Sequence, residues 1–190
     1  MLRDLVLKNR SYRRFYQDHR IDVATLRELV DLARHTASGA NIQPLKYALS
    51  FTPEKNAQVF PCTIWAGYLP EWDGPEEGER PSAYIVILCD KNVAKGPGCD
   101  HGIAAQTILL GAAEKGLGGC MFGSIRRPEL LEVLGVSPER YDVLLVIALG
   151  KPKEKVVLDE VGADGDIKYW REPDGVHHVP KRALDDVIVP

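Results

Sequence analysis

Two hydrophobic rhythms divide this chain. Leu2, Leu5 and Val6 recur at helical spacing, so residues 1–8 read as a short helix. A second helical pattern sets Leu26, Leu29, Val30 and Ala33 on one face, behind Asp22, a residue type that caps helix starts. "KYALSF" reads as a strand, while "CTIWA" (62–66) is a short apolar run that fits no single element. "SAYIVILCD" and "YDVLLVIALG" have the length and continuous apolarity of buried strands. From Asp100 to Lys115, "DHGIAAQTILLGAAEK" is too long for a strand and nearly all apolar, which predicts a central buried helix. "RPELLEVLG" carries Pro128 at its start and Gly135 at its end, the usual punctuation of a helix. "GLGGCMFGS" reads as a glycine-rich connection, and "GYLPEWDGPEEGERP" as a turn-rich acidic loop or flap over about 67–80. The stretch up to "HHVPKRALDDVIV" is polar and loop-rich. Buried helices outweigh strands and no repeat appears. The expectation is a single α+β domain over 1–190, with one mostly antiparallel sheet flanked by helices.

Composition narrows the classes. The 190 residues are 45% hydrophobic and 27% charged, enough for one domain with a real core. A net charge of -3 gives no long-range field for nucleic acid or an anionic membrane. No apolar run reaches the ~18 residues expected of a membrane span. Cys62, Cys89, Cys99 and Cys120 form no CxxC pair, and Cys99 with His101 lacks a second ligand pair at zinc spacing. These read as free thiols in a reducing cytoplasm, with no metal site.

Any charged site must therefore be local. "NRSYRR" places Arg10, Ser11, Arg13 and Arg14 within five residues, and guanidinium forks beside a hydroxyl suit a phosphate. A solvated basic turn is the plainer alternative. Lys181 and Arg182 form a second basic pair far along the chain. The glycines of "GLGGCMFGS" match neither nucleotide-loop fingerprint, since they follow a helix, but they would let a backbone N–H approach a ligand. His177 and His178 sit in a polar stretch and read as bystanders. "TASGANIQPLKY" sets Asn41, Gln43 and Pro44 at a helix-to-strand junction, where two carboxamides offer donors and acceptors beyond what a turn needs.

Taken in order, "NRSYRRF", "ASGANIQP", "DHGIAAQTILLGAAEKGLGG", "VIALGKP" and "VPKR" resemble the nitroreductase family of FMN enzymes over most of the chain. The resemblance implies an α+β sandwich working as an intertwined homodimer with FMN in the interface. It assigns the phosphate to Arg10, Ser11 and Arg13, with Arg182 and Lys181 from the late basic pair. Asn41, and Gln43 beside it, would meet the flavin from the partner subunit. Phe122, Gly123 and Ser124 would lie against the ring, a backbone amide there facing N5. Many members have two basic residues before the serine. Here the first is Asn9, which would hydrogen-bond instead. The implied activity is hydride transfer from NADH or NADPH through flavin N5 to a small-molecule acceptor such as a nitroaromatic, quinone or flavin, by ping-pong kinetics and without a catalytic side chain. The alternatives are a specialised enone reductase or dehalogenase, or a non-catalytic FMN-binding storage or sensor protein.

Overall fold

The computed structural model describes residues 1–189. Its helices are α1 (Leu2–Lys8), α2 (Val23–Arg34), α3 (Pro53–Val59), α4 (Asp100–Glu114) and α5 (Arg127–Leu134). Its strands are β1 (Phe15–Tyr16), β2 (Leu45–Ser50), β3 (Ala83–Asp90), β4 (Gly118–Phe122), β5 (Tyr141–Pro152), β6 (Val156–Glu160), β7 (Trp170–Arg171) and β8 (His177–Lys181).

The main sheet is antiparallel throughout. β5 pairs with β3 along one stretch and with β4 along Val146–Gly150, β2 pairs with β3, and β1 joins the far end of β5. Every residue of β3 is buried, because both faces of the sheet are covered. Ile85 and Ile87 face α2 and α4, where Leu26, Leu29, Ala105, Ile108 and Ala112 pack. Tyr84, Val86 and Leu88 face the opposite layer of Val59, Trp65, Phe122 and Leu130. The α+β class with an antiparallel sheet is thus the observed one.

Local chemistry explains the helix limits. Asp22 accepts the Thr25 N–H at 2.7 Å as the expected cap of α2. Gly135 closes α5 in the left-handed region (φ 68), where a side chain would be strained. In α4, Ala104, Ala105, Ile108 and Leu109 are buried, while Ile103 is 41% exposed and Gly102 and Gln106 lie on the surface.

Three readings of the sequence need correction. "GLGGCMFGS" is not a connection: Gly118–Phe122 is a strand at the edge of β5. A Cβ on Gly119 would collide with the carbonyl oxygen of Ala148 across the sheet, so glycine here permits close pairing and is not a turn signal. The polar stretch after β5 is not loop alone. β6 and β8 pair in parallel and β7 joins β8, forming a second, three-stranded sheet. Helix α3, capped by Thr52 with Pro53 in its first turn, has no counterpart in the hydrophobic pattern.

The acidic segment 67–80 is irregular, as expected, but it is tied down. The Phe15 N–H donates to the Glu79 carbonyl at 2.9 Å, and Gln17 Oε1 accepts from Gly78 and Arg80 at 2.7 and 3.0 Å. The Glu79 carboxylate takes Arg14 and, at 2.9 Å, Lys153. Burial alone would raise the Glu79 carboxyl, yet these two cations outweigh it and hold the group below the ordinary range. Trp72 meets Trp65 edge-on at 6.1 Å and lies 4.5 Å from the Arg171 guanidinium.

Candidate functional site

The first basic motif is positioned by the main chain. α1 ends at Lys8, Asn9 is buried, and the chain then runs extended beside β4. Ser11 forms a parallel bridge to Gly119, and the Tyr12 N–H donates to the Gly119 carbonyl at 3.0 Å. Arg10 folds back to give an N–H to the Val6 carbonyl at 2.7 Å. Behind the motif sits Glu154, whose side chain is 1% exposed. It accepts the N–H groups of Arg13 and, at 3.3 Å, Arg14, together with a guanidinium N–H of Arg171 at 3.0 Å. One buried carboxylate therefore fixes the backbone of the basic motif and balances its charge from below.

The second sheet brings distant residues to the same place. His177 on β8 is fully buried, and its Nε2 lies 3.2 Å from Nη1 of Arg13. Arginine can only donate, so Nε2 must accept and the ring proton sits on Nδ1. Burial, reinforced by the charges of Arg13 and Arg171, pushes this imidazole down to about 4, so it is neutral near pH 7. The Arg13 guanidinium also lies 4.7 Å over the Tyr169 ring.

Between these elements lies a cavity of ≈ 360 Å³. Arg10, Ser11, Arg13 and Lys181 supply donors, and among the described residues no carboxylate lines it. Leu109 from α4, Met121 from β4 and Val179 from β8 give it an apolar side, with Gln106 between. Two buried N–H positions at its wall residues, Nε of Arg10 and Nδ1 of His177, have no partner among the described residues. A larger hollow of ≈ 720 Å³ borders Asp22, Thr52 and Lys115. There Asp22 and Thr52 cap α2 and α3, and Lys115 pairs with Glu28 at 2.5 Å.

The sequence candidates separate into two groups. Arg10, Ser11, Arg13 and Lys181 meet at the cavity. Arg182 follows β8 and is exposed. Phe122 points into the core, 4.6 Å from Trp65, whereas Met121 before it faces the cavity, as strand alternation requires. Gly123 and Ser124 are exposed just past β4. Asn41 and Gln43 sit in an exposed turn before β2 and do not line the cavity. Residues not anticipated are Glu154, Tyr169, Gln106 and His177, the last read from the sequence as a bystander and found buried against Arg13. Only Glu154 carries a signal, as the lone acid inside the lysine run "KPKEK".

Comparison with known proteins places this geometry. The Nitroreductase family model matches residues 95–151, which hold α4, β4, α5 and most of β5. A nitroreductase family protein from Streptococcus pneumoniae superposes with a TM-score of 0.73 at 18% identity, covering 100% of both chains. A candidate nitroreductase in complex with FMN from Desulfovibrio desulfuricans gives 0.72 at 20% identity, covering 100% of this chain and 95% of that one. A candidate NAD(P)H:FMN oxidoreductase from Staphylococcus epidermidis gives 0.72 at 15% identity, with the same coverage. Residues 95–151 carry the nitroreductase family's sequence pattern, and the chain as a whole has the nitroreductase fold.

Proposed function

We propose that this protein is an FMN-dependent oxidoreductase that takes a hydride from NADH or NADPH and passes it to a small acceptor. The observation that carries this reading is the donor-rich cavity, where two arginines, a lysine and a hydroxyl converge with no acid among them. Such a set fits a phosphate, and the unpartnered N–H groups of Arg10 and His177 fit a ligand with further acceptors. Leu109, Met121 and Val179 fit the apolar body that FMN adds to its phosphate. Two of the similar structures are described with FMN or as acting on it.

In this reading Arg10, Ser11, Arg13 and Lys181 hold the phosphate, with Arg182 beside them. Glu154 keeps Arg13 and Arg14 in register. Asn41 and Gln43 hydrogen-bond the pyrimidine edge of the flavin from a partner protomer, since they stand apart from the cavity of their own chain. The backbone at Phe122, Gly123 and Ser124 borders the ring. When bound, FMN supplies hydride acceptance and donation at N5. The exposed Gly102, Ile103 and Gln106 strip of α4 belongs to the homodimer contact. The segment 67–80 shapes the face where the nicotinamide and then the acceptor are placed, so the kinetics are ping-pong. The acceptor is a nitroaromatic, quinone, flavin or enone. The last of these is the substrate type of the enone reductase CLA-ER, which matches at 19% identity with a TM-score of 0.65 over 80% of this chain and 89% of that one.

The test is the visible spectrum of the purified protein. A yellow protein that releases FMN on denaturation and bleaches with NADH or NADPH under anaerobic conditions is expected. A colourless protein that takes up no added FMN would overturn the assignment. Bound flavin that neither nicotinamide reduces would favour the storage or sensor reading.

A further inference from the structure

The turn before β2 is conformationally costly. Ala40 (φ 48), Asn41 (φ 55) and Gln43 (φ 54) all occupy the left-handed region without being glycine. Only one other non-glycine residue, Ala66, does so among the described residues. Such conformations persist only where the surroundings over-determine them, and they gather where geometry serves a ligand. Within the turn, Asn41 N–H reaches the Ser38 carbonyl at 2.9 Å and Ile42 N–H the Gly39 carbonyl at 3.1 Å. These bonds shape the turn but do not hold it to the body of the protein.

At its far end the Pro44 carbonyl takes the Asp90 N–H at 2.9 Å, and at its near end the hold comes from Asp100, the first residue of α4 and 7% exposed. One carboxylate oxygen accepts the Ser38 hydroxyl at 2.6 Å, and the other accepts the Gly39 N–H at 3.0 Å. An acid at this helix position ordinarily serves its own first turn. Here both oxygens reach across to the loop. A carboxylate only accepts, so the Ser38 proton must point towards Asp100. That orientation leaves a Ser38 lone pair free for the Gln43 N–H, which it accepts at 2.9 Å. The charge of Asp100 thus sets the direction of a relay that ends on the strained Gln43.

We propose that Asp100 is a positioning residue for flavin binding: through Ser38 and Gly39 it locks the left-handed turn that presents Asn41 and Gln43. The proposal rests on the flavin role given above to Asn41. Asp100→Asn is the informative change because it keeps the shape. If its Oδ1 keeps the Gly39 N–H, its amide nitrogen faces Ser38. The serine oxygen must then accept from that amide as well as from the Gln43 N–H, so its proton loses the carboxylate acceptor and the relay loses its fixed direction.

The experiment is a thermodynamic cycle on the purified protein, with FMN and riboflavin binding followed by flavin fluorescence. Asp100→Asn is expected to weaken both ligands about tenfold and equally, since the phosphate is not involved. In an Asn41→Ala background the same change should cost less than about twofold. Amide exchange at Gly39 and Gln43 in the flavin-free protein should rise at least about tenfold in Asp100→Asn. Equal losses in both backgrounds, or undisturbed exchange, would overturn the proposal and leave the proposed function standing. If Asn41→Ala binds both flavins like the wild type, the role of the turn itself fails, and Asp100 loses its part with it. Ser38→Thr should retain binding where Ser38→Ala does not, which separates the relay from a general loss of stability.

Discussion

Removing Glu154 tests the electrostatic design of the basic motif. Its side chain is 1% exposed, and that of its partner Arg171 is 14% exposed. At their 3.0 Å separation the gross attraction is large, but both charges have left water, so the net value of the pair is far smaller. The cost of deleting one member is a different quantity. Glu154→Ala strands Arg171 near Arg13 and Arg14, all of like charge, and frees the backbone N–H groups of Arg13 and Arg14. Burial already pushes the Arg171 guanidinium down, with Glu154 opposing. Breaking a buried pair on one side typically costs about 3–5 kcal/mol. For a chain of this size that lowers Tm by roughly 6–20 °C, at about 2–4 °C per kcal/mol. Calorimetry or chemical denaturation reads the loss. Glu154→Ala with Arg171→Met removes both charges but still leaves the Arg13 and Arg14 N–H groups without their acceptor, so it should recover the charge-related part of the loss and not all of it. A loss under about 1 kcal/mol, as for an exposed pair, would refute the reasoning. So would a double variant as unstable as Glu154→Ala alone.

Three further outcomes are expected. Arg13→Ala and Lys181→Ala should each weaken FMN by roughly ten- to a hundredfold, because a charge-assisted bond is worth about 1.5–3 kcal/mol, and should change riboflavin affinity far less; equal losses for both ligands would remove the phosphate assignment. His177 has a folded value of about 4 against 6.5 ordinarily, so the unfolded chain takes up its proton first. Its contribution is complete above about pH 6.5 and is lost as pH falls towards 4, with a slope of at most about 1.4 kcal/mol per pH unit. His177→Gln, which keeps an acceptor for Arg13, should flatten that part of the stability–pH curve, and an unaltered curve would count against a buried neutral imidazole. Trp72→Ala should change turnover with different acceptors while leaving FMN affinity within about twofold, since loops on a rigid scaffold carry specificity; identical turnover across acceptors would make the segment 67–80 purely structural.

The legible parts of the fold were those where burial imposes a period. β3, β5, α2 and α4 carry long apolar patterns because each packs against a full layer. α3 was silent because it buries only Val59, so its evidence lay in Thr52 and Pro53 and not in hydrophobicity. β4 hid behind glycines whose purpose is contact with Ala148, a reason visible only once the strands are paired. The second sheet is built from strands of two and five residues with mixed polarity, below the length at which alternation can be read. At the site, Arg10, Ser11 and Arg13 announce themselves as a cluster. His177 does not, because the group its ring accepts from, Arg13, is 164 positions away. No local pattern in "SGANIQ" tells that Asp100 holds it.

That same separation has a consequence for the order of events in the cell. The donor-lined cavity cannot exist until a segment near Arg13 is closed by one near His177, across an interval of 164 residues. Closing so long a loop is slow compared with forming a helix or hairpin, and its entropy must be met before any contact rewards it. At about 5–20 residues per second, translation alone separates the two segments by on the order of ten to thirty seconds. For most of that interval, until Glu154 itself is made, Arg10, Arg13 and Arg14 are on the growing chain without the carboxylate that later neutralises them. A nascent chain stalled before Glu154 should therefore bind polyanions non-specifically and FMN not at all. One carried past Lys181 and free of the ribosome should reverse both properties, so acquisition of flavin fluorescence quenching would time the closure of the chain.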